Sequence, residues 1–314
     1  MKSTQEALQR LKRNIESVII GKPDTIELLI ITLLARGHLM IEDVPGVGKT
    51  SMAYALAHSL NLSFKRIQFT NDILPADITG VTVYNQKDND FKFVQGPLFS
   101  NLVLADEINR CTPRTQSALL EAMNEHQVSV DHQTYSLEQP FMVIATQNPV
   151  ESHGTFPLPE SQMDRFMMYI SMGYPSLQDE RRLLALNPIK AELHSLNPVL
   201  SKNDLLQMQK QVDEVRIEPV LADYLLNIIT RSRKTKHLAL GVSPRGGLIF
   251  QQAARARALF HGRNYCIPDD IKELAIPVLC HRVIPDSKHI SHDRRVADTS
   301  AIITEIIEAE EVPV

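Results

Sequence analysis

The stretch Leu39-Met-Ile-Glu-Asp-Val-Pro-Gly-Val-Gly-Lys-Thr50 leaves few folds open. Its apolar start predicts a buried strand, Pro45–Gly48 a tight loop, and Ser51 to Leu60 a helix. Gly46 and Gly48 lack a Cβ, so the backbone can turn sharply and aim consecutive N–H groups at an anion. Lys49 is then placed to reach the β- and γ-phosphates of a nucleotide, and the Thr50 hydroxyl to ligate Mg²⁺. The positive end of the helix that follows faces the same anion. The spacing follows G-x-x-x-x-G-K-[ST] except at its first position, where Asp43 replaces glycine. That residue begins the turn and need not touch phosphate.

A strand feeding such a loop needs partners, and the chain supplies them. Nearly continuous apolar runs recur at Leu102–Ala105, Phe141–Ala145 and Phe166–Ile170, with a less clear strand around Ile67 and Phe69. Runs of this kind suit a parallel sheet covered on both faces. Helical stretches such as Thr115–Met123 separate them, so the fold class is α/β, with ligands expected at the carboxyl ends of the strands. Two segments interrupt the alternation. Val81–Tyr84 and Asp90–Val94 alternate apolar and polar residues around a turn-rich linker, and Val128–Leu137 does the same, so both read as β-hairpin inserts. After Tyr174-Pro175 the pattern becomes helical, with caps at Ser201 and Ser243. A nucleotide-binding core over residues 1–174 and a helical lid over residues 175–314 are expected.

Charge and cysteine content narrow the function classes. Thirty-three Lys and Arg against thirty-seven Asp and Glu give a net charge of −4, which argues against nucleic-acid binding through bulk charge. Cys111, Cys266 and Cys280 show no metal-ligand spacing and suit reduced thiols of a cytoplasmic protein. His126, His132, His153, His281, His289 and His292 match no ligand pattern either. No apolar run is long enough to span a bilayer, so no membrane insertion is expected.

Five further positions extend the phosphate loop into a catalytic constellation. Leu102-Val-Leu-Ala-Asp-Glu107 ends a buried strand in two carboxylates: Asp106 to hold Mg²⁺, Glu107 to orient and deprotonate a water. Asn148, at the end of another strand, can sense the γ-phosphate, although a turn before Pro149 also accounts for it. Arg165 stands directly before the last core strand, placed to reach a nucleotide held by a neighbouring subunit. Arg245 lies in the first turn of a helix capped by Ser243, where the dipole disfavours a cation unless an anion lies opposite. That anion is expected to be the γ-phosphate, met from the lid.

The set resembles the AAA+ ATPases, and more narrowly the MoxR family. The matching signatures are Phe69–Gly80, Gln95–Phe99, Asp106–Arg110, Ala145–Pro149, Pro157–Phe166, Gly241–Arg245 and Gly262–Asp270. The resemblance implies a P-loop core with hairpin inserts and a helical lid. It makes Pro45, Gly46, Val47, Gly48, Lys49, Thr50 and Ser51 the Walker A loop and Asp106 with Glu107 the Walker B pair. It places Asn148 at sensor 1, Arg165 at the arginine finger, Arg245 at sensor 2, and Ile20-Gly21 near adenine. Relatives have glycine where this chain has Asp43. The resemblance further implies ATP and Mg²⁺, a homo-oligomeric ring, usually a hexamer, and a partner bearing a von Willebrand factor A domain. The activity implied is chaperone-like remodelling or maturation of client proteins, including metal insertion. A nucleic-acid-translocating motor and an ATP-binding switch with little hydrolysis remain alternatives on sequence alone.

Overall fold

The computed structural model describes residues 2–87, 89–131, 133–149, 154–186, 196–286 and 292–313. His132, His153 and His289 lie outside this set, as does the His292 side chain. The chain opens with α1 (Lys2–Glu16) and α2 (Pro23–Leu34), then β1 (Leu39–Glu42), α3 (Lys49–Ser59) and β2 (Phe64–Gln68). A short α4 (Pro75–Thr79) precedes the hairpin β3 (Gly80–Asn85) and β4 (Asp90–Gln95). The core continues through β5 (Leu102–Asp106), α5 (Pro113–Glu125), the hairpin β6 (Gln127–Val130) and β7 (Gln133–Ser136), and β8 (Met142–Gln147). It closes with α6 (Glu160–Met163) and β9 (Met168–Ile170). Thereafter come α7 (Leu177–Leu186), α8 (Lys202–Glu214), α9 (Pro219–Lys234), β10 (Leu238–Leu240), α10 (Pro244–Phe260), α11 (Pro268–Leu279), β11 (Ile284–Pro285) and α12 (His292–Glu308).

Five parallel strands form one sheet in the order β2-β5-β8-β1-β9. Successive side chains in a strand point to opposite faces, so each central strand feeds two cores. Leu39, Ile41, Leu102, Leu104, Met142 and Ile144 join the larger core, whereas Met40, Val103, Ala105, Val143 and Ala145 join the smaller one. Burial on both faces explains why these strands read as apolar runs. Each large side chain hidden there contributes about 1.5–3 kcal/mol.

The larger core also takes in α1, α2 and the helical part. Leu8, Leu11 and Ile15 of α1 are buried at helical spacing. α10 packs on α8 and α11, and also on α1 and α2. An ion pair from Arg36 to Asp213 and a 3.0 Å approach of His261 Nε2 to the Glu27 carboxylate add polar ties between the two parts. The helical part also carries a short antiparallel ladder, β10 with β11.

The hairpins stand off the sheet but touch one another. Phe93 of β4 stacks on Tyr135 of β7 with ring centroids 4.1 Å apart, and Phe99 packs edge-on against both rings. Val81, Val83, Tyr84, Phe91 and Val94 are left exposed on the first hairpin.

Candidate active site

β1 is buried through Leu39, Met40 and Ile41 and pairs with β8 and β9, so it delivers the loop after it to the carboxyl edge of the sheet. Gly46 (φ 88°) and Gly48 (φ 100°) are left-handed, and a Cβ at either would meet nothing within 4 Å. Backbone conformation, not space, therefore requires glycine there. Gly48 is the cap residue of α3, whose first N–H groups face the loop. The Lys49 ammonium donates to the carbonyls of Asp43 at 2.6 Å and Val44 at 3.1 Å. Burial lowers the Lys49 pKa, against the opposing pull of Asp43, Asp106, Glu107 and Glu42.

Asp43, the departure from the loop pattern, is buried and saturated with donors. Its Oδ2 accepts from the N–H of Met172 at 2.7 Å, the N–H of Gly173 at 2.5 Å and the Ser171 hydroxyl at 2.9 Å. Its Oδ1 accepts from the N–H of Val44 at 2.8 Å. Burial alone would raise this carboxyl's pKa, but the donors from Gly173, Ser171, Val44 and Met172 outweigh it and hold it below the ordinary range. The side chain thus ties the start of the loop to the segment leaving β9.

Asp106 ends β5 beside this loop. Its Oδ1 accepts from the Thr146 hydroxyl at 2.5 Å, and that hydroxyl in turn accepts from the N–H of Glu107 at 2.9 Å. Its Oδ2 takes both Nε (3.0 Å) and Nη2 (2.6 Å) of Arg66. Glu107 sits in left-handed backbone (φ 58°), an unfavourable state for a residue with a side chain. Gln68 at 2.7 Å and Arg110 at 3.0 Å hold its carboxylate. Asn148 follows β8 and is buried at the same edge, since Gln147 pairs with Glu42 and its carbonyl accepts the Asp43 N–H. Thr50 and Asp106 offer hard oxygen donors of the kind Mg²⁺ takes together with phosphate oxygens. Among the described residues no cluster of three or more His, Cys, Asp or Glu side chains could hold a metal unaided.

Arg66, Gln68 and Thr146 escaped the sequence reading. The only available signal was two polar residues, two apart, in a strand that pairs with β5 through Gln68 and Asp106.

A cleft beside the loop brings Ile20 together with Val47, Gly48 and Ser51, and is closed by Pro175 and Leu183. Gly21 (φ 74°) turns α1 into α2, and a Cβ there would lie 2.5 Å from the Asp179 carboxylate. Apolar walls next to a phosphate-type loop suit a flat heterocycle.

Arg165 and Arg245 are placed together, away from this edge. Arg165 Nη1 donates to the Leu120 carbonyl at 3.1 Å, and Arg245 Nη2 donates to Asn124 Oδ1 at 2.8 Å. Both line one pocket at the C-terminal end of α5, with His38 and Met123. His38 precedes β1 and bonds the Met123 carbonyl and the Val143 N–H, so this pocket lies at the amino edge of the sheet. The length of β1, about 13 Å at ~3.3 Å per residue, separates it from the loop. Arg245 therefore stands away from the phosphate loop of its own chain. The reason is tertiary: α10 packs on α1, α2 and α8, and it is α7 whose Leu183 borders the loop.

Comparison with known proteins agrees with these parts. The profile of the ATPase family associated with various cellular activities (AAA) matches residues 38–168, and that of the AAA lid domain matches residues 230–306. The chain is 47% identical to the uncharacterized protein YeaC of Bacillus subtilis, over 98% of this chain and 95% of that one. It is 39% identical to the chaperone MoxR1 of Mycobacterium tuberculosis, over 88% of this chain and 75% of that one. A crystal structure from Cytophaga hutchinsonii, provisionally described as an ATPase, superposes with a TM-score of 0.90 at 35% identity, covering 99% of this chain and 96% of the other.

Proposed function

Since the chain belongs to the MoxR family of AAA+ ATPases, and so binds and hydrolyses ATP, we propose that it works as a ring in which each nucleotide is shared by two subunits. One subunit contributes the Walker A loop, Pro45 to Ser51, with Ile20 and Gly21 beside adenine. Thr50 and Asp106 would hold Mg²⁺, which neutralises phosphate charge. Glu107 orients and deprotonates the attacking water, Lys49 offsets charge on the γ-phosphoryl group, and Asn148 senses it. The neighbouring subunit contributes Arg165 and Arg245, stabilising the same developing charge from outside.

The observation that carries this reading is the opposition of two half-sites across one sheet. The loop and carboxylates stand at its carboxyl edge, and the two arginines at its amino edge. Neither half reaches the other within one chain, whereas head-to-tail packing brings them together and closes into a ring. A hexamer is the size we favour.

The work done is chaperone-like remodelling of client proteins, with metal insertion as one form. The exposed apolar strip Val81, Val83 and Val94 supports a protein client, as does the net charge of −4. A partner with a von Willebrand factor A domain belongs to the same proposal.

Co-assembly tests it. Glu107→Gln and Arg165→Ala proteins should each be inactive, and mixed rings should regain turnover at interfaces pairing an intact loop with an intact finger. No recovery, with mixing proven by mass, would remove the shared site. Lys49→Ala should abolish nucleotide binding.

A further inference from the structure

Arg282 ends the 3-10 turn Cys280–Arg282 of the helical part, yet its guanidinium is buried in the core segment that carries Arg165. Nη2 donates to the carbonyls of Phe166 at 2.5 Å and Asp164 at 3.2 Å, and Nη1 to that of Met167 at 3.1 Å. Nη1 also donates to the Val278 carbonyl, and Nε pairs with the Asp164 carboxylate at 2.9 Å. Every residue from 164 to 167 except Arg165 itself is held by this one side chain. His281 adds a contact, its Nε2 lying 2.9 Å from the Phe166 carbonyl.

The stem of the same arginine runs under the start of α10. A Cβ built on Gly246 would lie 3.0 Å from both Arg282 Cδ and Val242 Cγ1, so a larger residue immediately after Arg245 would press on the arginine stem. Burial lowers the Arg282 pKa to about 10, with Asp164 opposing and Arg245 adding to the fall, so the group stays charged at neutral pH. Burying a guanidinium for stability alone is poor economy, because an apolar side chain of similar volume serves a core as well or better. A planar fork with several donors does what an apolar group cannot: it fixes a backbone segment in position and orientation.

We propose that Arg282 is a positioning residue that registers Arg165 and Arg245 with each other, so that the two reach a neighbouring nucleotide as one rigid cationic unit. This rests on the shared-site reading above. It assigns the helical part a duty toward the finger as well as toward Arg245.

The test uses Arg282→Lys, which keeps the charge but loses the fork, and Gly246→Ala, which leaves the guanidinium but crowds its stem. Both full-length proteins should bind a fluorescent ATP analogue within about twofold of the parent and lose turnover about tenfold or more. Arg282→Lys mixed with Glu107→Gln should regain turnover, because its own loop then meets an intact finger. Mixed with Arg165→Ala it should not, since neither partner supplies one. Gly246→Ala should show the same asymmetry, weaker. Amide exchange at Phe166 and Met167 should quicken about tenfold in Arg282→Lys, while β5 stays protected. Equal recovery with both partners, recovery with Arg165→Ala alone, or none with either would overturn the proposal, provided Glu107→Gln with Arg165→Ala recovers in parallel. Failure of that control pair overturns the shared site itself, and the positioning role with it.

Discussion

The Asp43 carboxylate accepts the backbone N–H of Met172 at 2.7 Å, although 129 positions separate the two residues in the chain. A position that commonly serves only to start a turn here joins the nucleotide loop to the segment leading into the helical part. Asn in its place keeps the shape but turns half of the acceptor face into a donor. Asp43→Asn should lose about 1.5–3 kcal/mol, the worth of hydrogen bonds to a charged group, read from urea unfolding. The native carboxyl titrates below its ordinary value, so this contribution is complete above about pH 4 and fades as pH falls through the folded-state pKa. The gap between parent and Asp43→Asn should therefore stay level from pH 7 to about 4 and close below that.

His38 behaves in the opposite range. Its Nδ1 accepts from Val143 N–H and its Nε2 faces the Met123 carbonyl, an arrangement met by the neutral ring. Burial pushes its pKa to about 4, with the nearby His126 lowering it further and the Met123 bond opposing. The unfolded chain then binds a proton that the native state refuses between about pH 6.5 and 4, and stability falls as pH drops through that window. The shift corresponds to about 3 kcal/mol. His38→Gln cannot titrate, so its deficit relative to the parent should shrink as pH falls from about 6.5 to 4 in chemical denaturation.

Arg245 lies beyond reach of its own loop. Arg245→Ala should leave nucleotide affinity within about twofold while turnover of assembled protein drops roughly 10²–10³-fold, since only transition-state charge loses a partner. Equilibrium binding and steady-state hydrolysis on one preparation measure both.

If Asp106 holds Mg²⁺ as proposed, Arg66, which donates twice to its Oδ2, competes with that ion. Removing a part-exposed guanidinium should favour the ion by up to about 1 kcal/mol, so Arg66→Ala should lower the Mg²⁺ concentration for half-maximal hydrolysis by as much as about fivefold. A magnesium titration at saturating ATP checks the sign; an increase would show that Arg66 orients Asp106 for the ion.

Much of this architecture can be read from single segments. β1, β5 and β8 announce themselves because both faces are buried, which makes every residue before their carboxyl ends apolar. The hairpins announce themselves by alternation, and α8 and α10 by the caps at Ser201 and Ser243, whose hydroxyls do accept from the third helical N–H. What stayed hidden depends on contacts between distant segments. Nothing local to Asp43 points to Ser171–Gly173, and nothing local to Arg245 says which helices α10 will cover. The last strand begins at Met168, not Phe166, because its partner β1 begins at Leu39, and Arg282 takes the carbonyls of Phe166 and Met167 just before it.

The ring stack between Phe93 and Tyr135 has a mechanical outcome. β4 runs on through Phe99 into the strand that ends at Asp106, and β7 runs on into the strand that leads to Asn148. The stack joins the two hairpins near their bases, so force on either one is shared with the other before it runs on toward the strand ends at Asp106 and Gln147.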